Sequence, residues 1–176
     1  GKTTLIRAIM RLLNIDSGNI QFYSYNLSNH ITSSLSSLGI GYMPEDRRLI
    51  PNLNVRENIL LPLWANKGKI NDNNGLEVVL NYIPEIKNFL NSDAYQLSGG
   101  QQKLVSLARA MIVGKKLLLL DEPFEGVAPA LAERLAELII GLNKLKLITL
   151  ITESDETYSK TIGADIVKLE RGNIIN

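Results

Sequence analysis

The stretch Leu117–Glu122, which reads LLLLDE, is the most informative part of the sequence for the fold. Four consecutive leucines between Lys116 and Asp121 are typical of a short strand that is buried on both faces of a parallel sheet. Ligands of such sheets bind outside the carboxyl ends of the strands, which is where Asp121 and Glu122 follow. The alternative is a strand that ends in a solvated acidic pair. The stretch therefore predicts a parallel α/β sheet with two carboxylates at its edge.

Predicted strands and helices alternate along the rest of the chain, which favours a parallel α/β fold. The predicted strands are Ile20–Tyr25, Ile40–Met43, Leu147–Thr152 and Ile166–Leu169. The predicted helices are Lys2–Leu13, Ser98–Val113, Pro129–Leu142 and Glu156–Ile162, the first with an apolar stripe made of Leu5, Ile6, Ile9, Leu12 and Leu13. A helix-rich stretch, 53–96, interrupts the alternation. We interpret it as a helical subdomain inserted into a core formed by 1–52 and 97–176.

Composition narrows the classes of protein that the chain can belong to. It has 176 residues, 45% of them hydrophobic, which suits one globular domain. With 19 basic and 18 acidic residues the formal charge is only +1, so there is no electrostatic signal for nucleic acid. The absence of cysteine excludes disulfides and thiolate metal sites. No apolar run reaches the ~18 residues of a membrane-spanning helix, so any membrane role requires a partner.

The N-terminal residues Gly1-Lys2-Thr3-Thr4 precede a predicted helix and match the second half of the phosphate-binding pattern G-x-x-x-x-G-K-[ST]. In that pattern the lysine reaches the β- and γ-phosphates and the first hydroxyl, here Thr3, binds Mg²⁺. The helix N-terminus adds the positive end of its dipole. Four residues can also match by chance. Because the chain starts with Gly rather than Met, we expect sequence to be missing upstream.

Two further motifs add weight to a nucleotide site. Asp121 is expected to bind Mg²⁺, and Glu122 to polarise an attacking water as a general base. The stretch Leu97–Gln102, LSGGQQ, offers a serine hydroxyl, two glycines that permit close backbone approach and a helix start with free amides. The alternative for this stretch is a serine-capped helix after a glycine turn.

The order of these motifs resembles the ATPases of ABC (ATP-binding cassette) transporters, and the resemblance extends over essentially the whole chain. It implies a P-loop NTPase (RecA-like) three-layer α/β core with a parallel sheet and an inserted helical subdomain, whose N-terminal strands are missing here. In that family two domains pair head to tail around ATP and Mg²⁺. The residues expected to bind the chain's own ATP are Gly1, Lys2, Thr3 and Thr4, with Asp121 and Glu122 as the Walker B pair. Those expected to contact the partner's ATP are Ser98, Gly99, Gly100 and Gln101.

Three stretches indicate a branch of the family. Gly41–Arg48 (GYMPEDRR), Pro51–Asn58 (PNLNVREN) and Asp121–Pro129 (DEPFEGVAP) resemble the Liv-type ATPases of branched-chain amino acid importers, although amide, urea and sugar importers share parts of them. The resemblance implies an ATP-hydrolysing subunit at the cytoplasmic face of the membrane, bound to transmembrane permease subunits and indirectly to a solute-binding protein. It also implies a second ATPase subunit, and in the Liv type this favours a heterodimer over a homodimer.

The chain departs from the family pattern at two motif positions and at its start. Glu45 replaces a glutamine, and its carboxylate can still contact Mg²⁺ or the attacking water. Ser154 replaces a switch histidine, so we predict slow hydrolysis. Without the glycine-rich residues before Gly1 we expect weak ATP binding by the chain as it stands, and no residue is assigned to adenine. The alternatives are a truncated or degraded paralogue without ATPase activity and a non-transport ABC protein, which near-neutral charge and the lack of cysteine disfavour.

Overall fold

A computed structural model of the protein describes residues 1–66 and 74–175. The helices are α1 (Lys2–Ile9), α2 (Thr32–Leu35), α3 (Val55–Ala65), α4 (Gly75–Tyr82), α5 (Gly99–Val113), α6 (Pro129–Lys144) and α7 (Thr157–Thr161). The strands are β1 (Gln21–Phe22), β2 (Tyr25–Asn26), β3 (Ile40–Met43), β4 (Leu117–Asp121), β5 (Ile148–Thr152), β6 (Lys168–Glu170) and β7 (Asn173–Ile175). Within the described residues, no helix is long and apolar enough to cross a membrane.

The central sheet is parallel, with β4 between β3 and β5. All five residues of β4 are buried, which confirms the strand predicted from the four leucines. The register places Met43 opposite Leu120 and Asp121 opposite Thr152. The strands β1–β2 and β6–β7 form separate antiparallel hairpins. The carboxyl ends of β3, β4 and β5 therefore share one edge of the sheet.

The two faces of β4 are covered by different layers, because successive side chains of a strand point to opposite sides. Leu118 and Leu120 pack into the larger apolar cluster, which α3, α5 and α6 also line. Leu117 and Leu119 pack into a smaller cluster with Ile6 of α1. This arrangement buries the middle strand between helical layers.

The first helix is shorter than predicted, and only part of its predicted apolar stripe is buried. It ends at Ile9 rather than Leu13, because the chain turns at Arg11, whose φ is 56°. Leu5, Leu12 and Leu13 of the predicted stripe are more than 40% exposed, whereas Ile6 and Met10 are buried. The apolar pattern identified a helix here and two residues that pack, Ile6 and Ile9, but not the full extent of the packed face.

The strand β5 is less buried than its apolar sequence suggests. Ile148 is 49% exposed and Leu150 is 37% exposed. Within 1–66 and 74–175, no strand pairs with the outer edge of β5. A cleft of about 750 Å³ lies there instead, lined by β5 on one side and by residues of the β6–β7 hairpin on the other.

Two other predicted strands have different bounds. The stretch Ile20–Tyr25 is not one strand, because a turn at Tyr23, with φ of 52°, separates β1 from β2. The strand predicted from Ile166 begins at Lys168. The helices α3 and α4 lie in the stretch 53–96 and share the larger apolar cluster with α5. The division into a core and a helical subdomain stays a prediction, and residues 67–73 of that stretch lie outside the described residues.

Candidate active site

The N-terminus of α1 meets the carboxyl end of β4. Thr3 Oγ1 donates a hydrogen bond to Asp121 Oδ1 at 3.2 Å. The ammonium of Lys2 lies 3.5 Å from Glu122 Oε1. The structure thus joins the two predicted motifs in a single site, although they lie more than a hundred residues apart in the chain. Thr4 and Gly1 are exposed beside this site.

Hydroxyl groups surround the carboxylate of Asp121, which is only 1% exposed. Besides Thr3, Thr152 Oγ1 donates to Oδ1 at 2.7 Å and Tyr42 Oη donates to Oδ2 at 3.4 Å. Burial, followed by the charge of Asp121, raises the pKa of Tyr42, which keeps its hydroxyl protonated as a donor. The carboxylate is therefore held in one orientation at the sheet edge.

The chemistry of this donor set fits a hard cation such as Mg²⁺. Thr3 and Asp121 present a hydroxyl and a carboxylate oxygen within 3.2 Å of each other, and oxygen ligands are those that Mg²⁺ prefers. The described part of the chain contains no group of three or more His, Cys, Asp or Glu that could hold a metal by itself. Because Mg²⁺ usually binds through one or two protein ligands plus phosphate and water oxygens, this sparse set matches a site that is completed by a nucleotide.

Glu122 is held from several sides. Its backbone adopts the left-handed region, with φ of 48°, and its side chain is almost wholly buried. Ser154 donates twice to its carboxylate, from Oγ to Oε1 at 2.8 Å and from the backbone amide to Oε2 at 3.0 Å. The backbone carbonyl of Glu122 accepts a hydrogen bond from Lys103 Nζ at 2.6 Å. Ser154, predicted as a weakened switch residue, thus contacts the predicted general base directly.

A second carboxylate lies beside Glu122. Glu153 accepts a hydrogen bond from the backbone amide of Phe124 at 3.0 Å. Burial, together with the hydrogen bond and charge of Glu122, raises the pKa of Glu153 to about 7, against the opposing effects of Phe124 and Lys103. The carboxyl group of Glu153 is therefore the one that is partly protonated near neutral pH.

The other predicted residues lie outside this contact network. Glu45 is exposed in the turn after β3. No hydrogen bond or ion pair among the described residues joins it to Thr3 or Asp121. The predicted catalytic and metal roles of Glu45 therefore have no contact that supports them in this structure, and they stay predictions.

The stretch Ser98–Gln101 begins α5 with a capping box. Ser98 Oγ accepts from the Gln101 amide at 3.3 Å, and Gln101 Oε1 accepts from the Ser98 amide at 2.9 Å. The serine cap that was the alternative reading of this stretch is thus present. It leaves the hydroxyl hydrogen of Ser98 able to donate. A β-carbon on Gly100 would lie 2.7 Å from Leu131 Cδ2 of α6, so a larger residue there would require the end of the Leu131 side chain to move.

Sequence reasoning missed four residues of the site: Tyr42, Lys103, Thr152 and Glu153. Thr152 ends the strand that was predicted to lie parallel to β4, and Glu153 follows it, so the shared sheet edge could have revealed both. Lys103 and Tyr42 gave no signal, because neither belongs to a pattern tied to phosphate or metal chemistry.

Comparison with known proteins identifies the class that this fold and site define. The model of the ABC transporter family matches residues 1–125. The chain is 28% identical over 176 residues to a probable branched-chain amino acid transport ATP-binding protein, LivF, of Archaeoglobus fulgidus, covering 99% of this chain and 74% of that protein. It is 32% identical over 175 residues to the sulfate/thiosulfate import ATP-binding protein CysA of Mesostigma viride, covering 99% of this chain but only 49% of that protein.

A solved structure shows the same fold. The dimeric structure of MJ0796, a bacterial ABC transporter cassette, superposes with a TM-score of 0.77 at 25% sequence identity, covering 91% of this chain and 72% of that one. The chain belongs to the ABC transporter family, as one of its ATPases. The predicted α/β fold with a parallel sheet is confirmed, and so is the predicted family. The relatives differ in what their names say they transport, so they do not decide the branch.

Proposed function

We propose that the chain is the ATP-hydrolysing subunit of an ABC importer for branched-chain amino acids or a related small polar solute. The assignment of ATPase activity rests on one observation. Thr3 contacts Asp121 and Lys2 contacts Glu122 in a single site. The importer branch is supported by the stretches Gly41–Arg48 and Asp121–Pro129 and by similarity to the LivF protein. The CysA protein, whose name refers to a different solute, is as similar to this chain as the LivF protein is. The proposed solute therefore rests on the two stretches of sequence.

The geometry suggests how the chain's residues would act on bound ATP. Lys2 would exchange Glu122 for the phosphates, since its ammonium is partly exposed and its ion pair is loose at 3.5 Å. Thr3 and Asp121 would hold Mg²⁺, which supplies charge neutralisation at the phosphates when it is bound. Glu122, released from Lys2 but still held by Ser154, would orient the attacking water and accept its proton.

The remaining partners follow from the same proposal. Ser98, Gly99, Gly100 and Gln101 would contact the ATP of a second ATPase subunit, an arrangement to which the dimeric structure of MJ0796 lends support. Permease subunits would bind the pair at the cytoplasmic face of the membrane, and a solute-binding protein would deliver the solute to them. A heterodimer is the preferred assembly.

Thermal unfolding with and without Mg-ATP tests the proposal. A ligand at about a hundred times its Kd stabilises the native state by about 2.7 kcal/mol. The chain is compared with a variant extended before Gly1 by a strand and a loop that complete G-x-x-x-x-G-K-[ST]. We expect the extended variant to be stabilised by Mg-ATP and to hydrolyse it. We expect little stabilisation of the chain without the extension.

The control is Glu122→Gln in the extended variant. It should keep the stabilisation by Mg-ATP and lose hydrolysis by roughly 10²- to 10⁴-fold, the usual contribution of a positioned general base. If neither the chain nor the extended variant responds to Mg-ATP, the proposal is wrong and a paralogue without ATPase activity takes its place. Binding of ATP with hydrolysis unaffected by Glu122→Gln would remove Glu122 from the mechanism.

A further inference from the structure

Lys103 is an unusual residue for the place it occupies. It lies in the second turn of α5, is only 1% exposed, and is followed by the buried residues Leu104 and Val105. Burial lowers the pKa of its ammonium, an effect that Arg47 increases. Glu153, Glu125 and Glu45 act in the opposite direction. A buried ammonium without good partners is expensive in free energy, so packing alone does not account for a lysine here.

The ammonium of Lys103 makes one specific contact with the candidate active site. Its Nζ donates to the backbone carbonyl of Glu122 at 2.6 Å. A hydrogen bond that involves an ionised group is stronger than a neutral one. The contact bridges 19 positions of the chain and joins α5 to the end of β4.

The backbone that receives this hydrogen bond is strained. Glu122 has a φ of 48°, and a residue other than glycine in the left-handed region costs on the order of 1 kcal/mol. Such a conformation persists only where surrounding contacts enforce it. Ser154 holds the carboxylate of Glu122, whereas Lys103 holds its carbonyl. The two contacts together fix both the direction of the peptide and the direction of the side chain.

We propose that Lys103 is a positioning residue that fixes Glu122 for catalysis from the helix that begins with LSGGQ. The proposal rests on the proposed function, because it assigns Glu122 to the attacking water. Lys103 lies five residues after Ser98 on α5. A displacement of the start of α5 when a nucleotide binds to Ser98 would therefore move the carbonyl of Glu122 in the same chain.

The decisive variant is Lys103→Met, which keeps the length of the side chain and removes the donor. Its control is Lys144→Met on α6, which makes the same exchange at an exposed lysine. Lys103→Gln retains a donor on a shorter side chain and serves as the conservative variant. All three are made in the chain and in its extended variant.

The readout that does not need activity is amide hydrogen exchange. The Ser154 amide donates to Glu122 Oε2, so its protection reports on the position of the carboxylate. We expect Lys103→Met to accelerate exchange at Ser154 by about tenfold, the weight of one hydrogen bond to a charged group. Exchange at Leu119, in the middle of β4, should be unchanged. The exchange rate at Ser154 in Lys103→Gln should lie between the rates in Lys103→Met and in the original chain. The rate in Lys144→Met should match that of the original chain.

Steady-state hydrolysis by the extended variant gives the second readout. We expect Lys103→Met to lower kcat by about tenfold with KM for ATP within about twofold, because a positioning contact acts on the transition state. Unchanged exchange at Ser154, or equal acceleration at Leu119, would overturn the proposal and leave Lys103 a purely structural residue. If no form hydrolyses ATP, the proposed function fails while the exchange result still decides whether Lys103 holds Glu122.

Discussion

Replacing Glu153 by glutamine should make the protein more stable at pH 8 and have little effect at pH 5. The pKa of Glu153 is raised from its ordinary 4.5 to about 7, mainly by burial and with a contribution from Glu122. A carboxyl whose pKa is raised by folding binds its proton more tightly in the native state. The contribution of Glu153 to the free energy of unfolding therefore becomes unfavourable as the pH rises from 4.5 towards 7. Above pH 7 its ionised carboxylate destabilises the native state by the full amount.

The size of this change in stability follows from the difference between the folded and the unfolded pKa of Glu153. One pH unit between the folded and the unfolded pKa is worth about 1.36 kcal/mol, so ionisation of Glu153 destabilises the native state by up to about 3 kcal/mol. Glutamine carries no charge and offers the same pair of contacts, since its oxygen can accept from the Phe124 amide and its NH₂ can donate to Glu122. In a domain of this size about 1 kcal/mol corresponds to about 2–4 °C in Tm.

The assay is thermal unfolding of the two proteins in matched buffers between pH 5 and pH 8. The difference in Tm should grow by several degrees across this range. A matched contrast is Glu156→Gln, since Lys160 and Lys168 lower the pKa of Glu156 to about 2. That carboxylate stabilises the fold above pH 4.5 and loses its contribution only as the pH falls towards 2, so the variant should be less stable at both pH values. A constant Tm difference for Glu153→Gln would refute the raised pKa of Glu153.

Two further predictions concern packing and turnover. Gly41→Ala should lower the free energy of unfolding by about 3 kcal/mol or more, because its β-carbon would lie 2.1 Å from the Ala110 carbonyl oxygen. A denaturation midpoint close to that of the original chain would contradict this. Ser154→His in the extended variant should raise ATP turnover, because histidine is long enough to reach a γ-phosphate and can carry a proton, while the backbone amide at this position still donates to Glu122. An unchanged or lower rate would contradict the interpretation of Ser154 as a weakened switch residue.

The sequence alone predicted the structure where the apolar pattern and the functional residues indicated the same element. Four apolar residues followed by Asp121 predicted both the middle strand and the edge at which the site lies. The pairing of Thr3 with Asp121 followed from the motifs once their order was recognised. The helix after Ser98 was predicted within one residue, because a serine cap and two glycines define its start.

Elsewhere the sequence pattern did not determine whether a side chain is buried or exposed. The sequence of β5 is apolar enough for a buried strand, yet Ile148 and Leu150 are exposed and Leu150 lines a cleft. Burial depends on a neighbouring element that the local sequence cannot reveal. Leu12 and Leu13 fit the helical period of α1 but lie beyond the turn at Arg11. Lys103 could not be placed because a lysine in a helix is usually solvated, and only the tertiary contact with Glu122 shows otherwise.

The contacts of Glu122 differ in strength in a way that bears on its role. Lys2 holds it only by a partly exposed ion pair at 3.5 Å, an interaction worth at most about 1 kcal/mol in such a setting. Ser154 and Lys103 hold it by shorter hydrogen bonds, the first partly buried and the second buried, and one hydrogen bond to a charged group contributes about 1.5–3 kcal/mol. A phosphate can therefore take Lys2 from Glu122 at small cost while the carboxylate stays in place. Under the proposed function, this ordering would let Lys2 bind a phosphate without moving Glu122, the proposed general base.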